Sequence, residues 1–220
     1  MNASVMRATG YALVAGPAIF FVDNLLHPEE FGRSNEAAQL AAIAESPERW
    51  QAAHLIGFAS LIVFVVAILG LSAIVARTDR RTAVIAGGAA LVGILGFAWA
   101  FAIDGFAWGV LGEVSARSDI DAATMEAAFG ELQQSGWAFP YYLLGIGWIL
   151  GIPYLAQGAL RAGALELRPA VLLGLGAVAV GLEGVFADNT YFILSSALLL
   201  IGGADAAMSL FRHSRAETTA

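Results

Sequence analysis

From Leu55 to Ala76 the chain runs twenty-two residues without a charged side chain, and five further stretches are nearly as apolar. A helix rises about 1.5 Å per residue, so roughly 20 apolar residues cross the hydrocarbon core of a bilayer. Within lipid each backbone N–H and C=O must find its partner inside the segment, which makes a run of this kind helical. The pattern predicts spans over about 5–26, 55–76, 82–110, 136–160, 169–187 and 190–211. The expected fold is all-α: a polytopic membrane protein with six transmembrane helices in a single bundle, one integral membrane domain covering 1–220. Composition agrees. Only 13% of residues are charged and 59% are hydrophobic, where a soluble domain carries about 25% charged residues.

Arg7 ahead of an apolar Tyr11–Val22 core has the layout of a secretion signal. The small residues Ala15, Gly16 and Ala18 fall inside that core instead of after it, so the first segment is expected to stay as a span. With six spans both termini share one side. That side holds eight arginines (7, 77, 80, 81, 161, 168, 212, 215) against four carboxylates (79, 166, 205, 217), a net +4. The other side holds three arginines (33, 49, 117) against fourteen carboxylates, a net −11. Arginine-rich loops stay in the cytoplasm, which places both termini there and the protein in the cell (inner) membrane. An acidic pI near 4.8 argues against nucleic-acid binding, which needs basic surface. The absence of cysteine removes disulfides, thiolate metal sites and cysteine nucleophiles.

Two outer connections carry helices of their own. Ser34 is positioned to cap an amphipathic helix over about 35–45, with Ala37, Leu40, Ala41, Ile43 and Ala44 on its apolar side. Ser46-Pro47 then restarts the chain, with serine as N-cap and proline at the first helical position, so the second long helix should begin near Pro47. Ser118 or Asp119 is expected to cap a second amphipathic helix over about 119–134, with Met125, Ala128, Phe129 and Leu132 at helical spacing. Such helices lie flat at the membrane interface or across the mouth of the bundle. Gly105-xxx-Gly109 and Gly147-xxx-Gly151 allow close helix approach.

Polar groups inside the spans carry the functional argument. Phe21-Val22-Asp23-Asn24, Phe101-Ala102-Ile103-Asp104 and Phe186-Ala187-Asp188-Asn189 each place an aspartate shortly after a phenylalanine at the outer end of an outgoing helix. Asp188-Asn189 reads as a tight turn. Asp104 is followed by apolar Gly105–Gly112, and Glu183 lies about 7 Å deeper than Asp188; ionisable residues at such depth are costly and usually face the bundle interior. Asp23 and His27 are four apart, as are Trp50 and His54, so each pair shares a helical face. The candidates are therefore Asp23, Asp104 and Glu183 for acid–base chemistry, His27, His54 and Asp23 for a divalent metal, and Trp50, Asp104 and Glu183 for substrate contact. A haem held between His27 and His54 is a further cofactor reading. The same set suits a proton relay. Asp205 is expected to pair with Arg161 or Arg168, and His213 to lie solvated in the polar tail.

Leu25-Leu26-His27-Pro28, Leu40-Ala41-Ala42-Ile43-Ala44 and Trp50-Gln51-Ala52-Ala53-His54-Leu55 together resemble a loose group of uncharacterised small bacterial integral membrane proteins with about six spans. The resemblance covers roughly residues 8–80. It implies the topology and an outer amphipathic segment between the first two helices, and it implies no activity.

Three functions fit these residues. The first is a binding or accessory membrane protein with an outward-facing Asp/His/Glu pocket for a lipophilic small molecule or a membrane protein partner. The second is a membrane enzyme using that cluster on a lipophilic substrate. The third is a small proton-coupled or ion transporter. Sparse polar groups on the cytoplasmic half weigh against the third.

Overall fold

The computed structural model describes residues 3–27, 36–116, 121–134, 138–186 and 190–218, with the side chains at 36, 39, 122, 132–144, 183–189, 217 and 218 outside that description. Among the described residues every regular element is helical. The order is α1 (Ala3–Leu26), α2 (Glu36–Glu45), α3 (Pro47–Val75), α4 (Arg80–Ala102), a π-helical turn (Ile103–Trp108), α5 (Gly109–Ser115), α6 (Ala122–Gln134), α7 (Ala138–Arg161), α8 (Leu167–Phe186) and α9 (Thr190–Thr218). Among the described residues four stretches are long and apolar enough to cross a membrane: α1, α3, the continuous Arg80–Ser115 segment and Thr190–Ala216. Leu167–Leu182 is a shorter apolar helix. The protein is thus a helical chain with the apolar helices of a membrane protein.

Local chemistry sets the helix ends. α3 starts at Pro47, whose missing N–H is no loss in a first turn. The expected serine cap does not form: Ser46 makes no side-chain hydrogen bond to the helix. Its backbone serves instead, its carbonyl accepting from Trp50 N–H at 3.0 Å. Asp79 caps α4, accepting from the Thr82 backbone N–H at 3.0 Å and from its hydroxyl at 2.6 Å. These bonds hold the Asp79 carboxyl below its ordinary range. α7 ends in a Schellman turn, with Ala164 N–H on Ala159 C=O and Gly163 N–H on Leu160 C=O. Gly163 supplies the left-handed residue that this turn requires, at φ 70°.

α1 packs on α3 and α9, α4 on α3 and α7, and α8 on α7 and α9. Small residues let these backbones meet. Side-chain atoms added at Gly93, Gly147 or Gly151 would strike the facing backbone of α7 or α4, which is the role expected of closely packed membrane helices. Pro17 removes the N–H that would serve the Leu13 carbonyl, and Gly203 of α9 lies directly against that carbonyl oxygen. The main core is aliphatic and aromatic, built on Phe20, Phe64, Phe97 and Trp148. Phe64 and Phe97 each meet Trp148 edge to face, at 5.1 and 5.4 Å between centroids. The opposite faces remain apolar and exposed, as at Tyr11, Ile62, Val84, Leu95, Leu150 and Leu167. A surface of that kind suits lipid.

A second cluster joins α2, α6 and the start of α3 through Leu40, Ile43, Trp50, Met125 and Phe129, with Trp108 of the π turn and Leu111 and Val114 of α5 packed against it. The apolar strips are narrower than the sequence patterns predict. Leu40 and Ile43 turn inward while Ala37 and Ala41 are exposed; Met125 and Phe129 turn inward while Ala128 is exposed. Each short helix presents only one or two residues per turn to its neighbours, so the rest of the stripe stays outside. α6 begins after Asp121, which accepts from the Thr124 backbone at 2.9 Å and from its hydroxyl at 2.5 Å. The cap expected at Ser118 or Asp119 lies outside the described residues, as does Ser34.

At the other end of the molecule Arg168 pairs with Asp205 at 3.1 Å, one of the two pairings expected. Arg212 bonds Glu166 at 2.5 Å. α9 runs on through Arg212, His213 and Arg215, past the expected end near Phe211. His213 is exposed on that extension, with Nδ1 bonded to the Ser209 carbonyl at 2.8 Å.

Candidate functional site

The last turns of α1 carry Asp23 and Asn24, and His27 follows one residue past the helix end, its N–H still donating to the Asp23 carbonyl at 2.9 Å. This extra turn keeps Asp23 and His27 on one face. Arg49 closes the exposed end through Nε on the Leu26 carbonyl at 2.6 Å. The Asn24 side chain bonds the Phe20 carbonyl at 2.8 Å.

The first turns of α3 bring Trp50 and His54 against them. The rings of His27 and Trp50 stand 4.8 Å apart, those of His27 and His54 5.1 Å, and those of Trp50 and His54 4.8 Å. Phe101 adds a fourth ring, 5.9 Å from His54. Asp23, His27, Trp50 and His54 are all buried, at 2, 8, 1 and 3% exposure.

Asp104 arrives from a third element, the π turn. A π turn inserts one residue into a helix and commonly marks a functional site. Here the indole N–H of Trp50 donates to the Asp104 carbonyl at 2.8 Å. The Asp104 carboxylate faces His54, with Oδ2 3.8 Å from Nε2. Glycines make the approach possible. A Cβ at Gly105 would stand 2.6 Å from the His54 Cβ, and one at Gly57 would stand 2.7 Å from both Asp23 Oδ2 and the Phe101 ring. The Gly105/Gly109 pair thus seats His54 and Trp50.

The proton on His54 can be placed. Nδ1 lies 2.8 Å from the Trp50 carbonyl oxygen, which can only accept, so Nδ1 carries hydrogen in either protonation state. Nε2 is left to face Asp104, as a lone pair or as the second N–H of an imidazolium. Asp23 lies within electrostatic reach of both His54 and Asp104. No hydrogen-bond donor reaches Asp23 Oδ1, although it is fully buried. A buried, unpaired carboxylate oxygen is expensive, and such groups in membrane proteins are usually functional.

The second cluster covers this site. Trp50 belongs to it, and Gln51 of α3 bonds Glu113 of α5 at 3.0 Å. Trp108, in the π turn, packs on Phe129 of α6 at 5.1 Å. At the rim Asp121 is held below its ordinary range, first by the Thr124 hydroxyl.

The structure therefore brings Asp23, His27, Trp50, His54 and Asp104 together. Glu183 sits on the α8 backbone, and its side chain lies outside the described residues, as does Asp188. Among the described residues no three His, Asp or Glu side chains are gathered as metal ligands. Sequence reasoning missed the π turn, Phe101 and Gly57. The apolar run continuing beyond Asp104 was the available trace of the first.

The chain matches no protein-family model, no curated protein and no solved structure.

Proposed function

We propose that the protein is a six-span binding protein of the inner membrane, with both termini cytoplasmic, that presents an outward-facing, lidded Asp/His pocket to a lipophilic molecule. The observation that carries this reading is the convergence of Asp23, His27, Trp50, His54 and Asp104 beneath α2 and α6. Polar groups at the mouth of an apolar bundle supply orientation and selectivity, while the surrounding apolar surface supplies affinity. The arginine distribution supports the orientation, and the neighbour relations of α1, α3, α4, α7, α8 and α9 support a single bundle. The test is mass spectrometry of lipophilic molecules that co-purify with the protein in a mild detergent. A molecule retained by the natural chain and lost from His54→Ala is the expected result; identical profiles would sink the proposal.

The His54–Asp104 pair favours a second reading, a membrane enzyme. An imidazole held by a backbone carbonyl on one nitrogen and facing a carboxylate on the other is arranged for general acid–base work. A turnover assay on any co-purified molecule, with Asp104→Asn as the inactive control, separates catalysis from binding.

A further inference from the structure

We infer that the pocket takes a positively charged headgroup, a protonated amine carried on a lipophilic body. This rests on the binding role proposed above and names its ligand class.

Charge is the first argument. Asp23 and Asp104 lie around one imidazole, and Asp23 Oδ1 is buried without a donor. An ammonium has three N–H donors and no acceptor, so it supplies what this oxygen lacks. The outer side of the protein carries a net −11, and a field of that sign concentrates cations at its clefts.

Size is the second. A metal ion needs several ligand atoms near 2 Å, and no such set is gathered among the described residues. An ammonium is larger and attracted to ring faces within about 6 Å. The rings of His27, Trp50, His54 and Phe101 gather around the Asp23/Asp104 carboxyls, so a cation held by those carboxyls has aromatic neighbours.

The third is the surrounding surface. Leu25, Leu26, Leu55 and Phe58 are exposed at the same end of α1 and α3. An alkyl body can lie along them in the lipid while its headgroup enters between the helices.

The test uses the full chain in lipid nanodiscs and follows the thermal midpoint with dodecylamine, with dodecanol and with zinc chloride. Dodecylamine should stabilise saturably and at least 10-fold more tightly than dodecanol. Asp23→Asn should lose that preference while remaining folded, and Glu48→Gln, on the exposed start of α3, should keep it. An amine preference that survives in Asp23→Asn overturns the inference. So does saturable binding of one zinc per chain without an amine effect, or an absence of any amine effect. Equal binding of amine and alcohol, both lost in His54→Ala, overturns only the charge selectivity and leaves the lidded binding pocket standing.

Discussion

The indole N–H of Trp50 donates to the backbone carbonyl of Asp104 across 2.8 Å. One side chain of α3 thus holds the π turn that aims the Asp104 carboxylate at His54, and His54 in turn donates to the Trp50 carbonyl. The three residues close a circuit.

Trp50→Phe keeps an aromatic ring, deletes the donor and leaves the volume of the lost pyrrole ring empty. The Asp104 carbonyl loses a buried partner, which costs about 1–3 kcal/mol. The thermal midpoint should fall. The His54 Nδ1–H signal in nitrogen-15 spectra should persist, because the Trp50 backbone carbonyl remains.

Gly57 and Gly88 form a contrasting pair. A Cβ at Gly57 meets Asp23 Oδ2 and Phe101 at 2.7 Å, whereas one at Gly88 meets nothing within 4 Å. Gly57→Ala should lower the thermal midpoint and weaken ligand retention. Gly88→Ala should raise stability by roughly 0.5–1 kcal/mol through helix propensity alone. Thermal denaturation of both in the same detergent is the check.

Gly163 adopts φ 70° in the turn after α7. Gly163→Ala has open space for its methyl group, so any loss is purely conformational, on the order of 1 kcal/mol. Gly163→Asn should lose less, since asparagine tolerates this region. Unfolding midpoints of the two variants test the order.

Asp121 gives the outer helices a pH dependence. Its carboxyl is held below the ordinary 3.8 by Thr124, so the folded form favours the ionised group. The sign follows: the stabilisation is complete above the unfolded value and is lost as pH falls through the lower, folded one. Hydrogen exchange at residues 122–126 should be slow and flat from pH 7 to 5 after correction for intrinsic rates. It should show loss of protection below about pH 3.8. Asp121→Ala should show the loss at all pH values.

Much of the architecture is legible in the residues. Uncharged runs such as Leu55–Ala76 locate apolar helices because a backbone in lipid has few other options. Pro47 marks the start of α3, and the four-residue spacings Asp23–His27 and Trp50–His54 put the right side chains on shared faces. The π turn was not legible. Its sequence, Ile103–Trp108, carries no Pro and no local turn signal beyond Gly105, and the turn is tied by Trp50, distant in the chain, which bonds the Asp104 carbonyl. Asp121 caps the start of α6 through a local device. Ser118, Asp119 and Asp121 all suit an N-cap, and the hydroxyl of Thr124 sits three residues after Asp121. Burial across α2 and α6 is likewise set by neighbours that periodicity does not reveal.

The outer cluster has its own interior. Leu40, Ile43, Met125 and Phe129 are packed apart from the aromatic core around Trp148. Units of this kind can open below the free energy of global unfolding. Trp50 of α3 belongs to this cluster, so on the proposed binding role any opening of the outer helices would work through Trp50 and would set the kinetics of access to His54. Tight and loose variants of Ile43 or Phe129 would then tune the residence time of whatever lies beneath, without altering the groups that hold it.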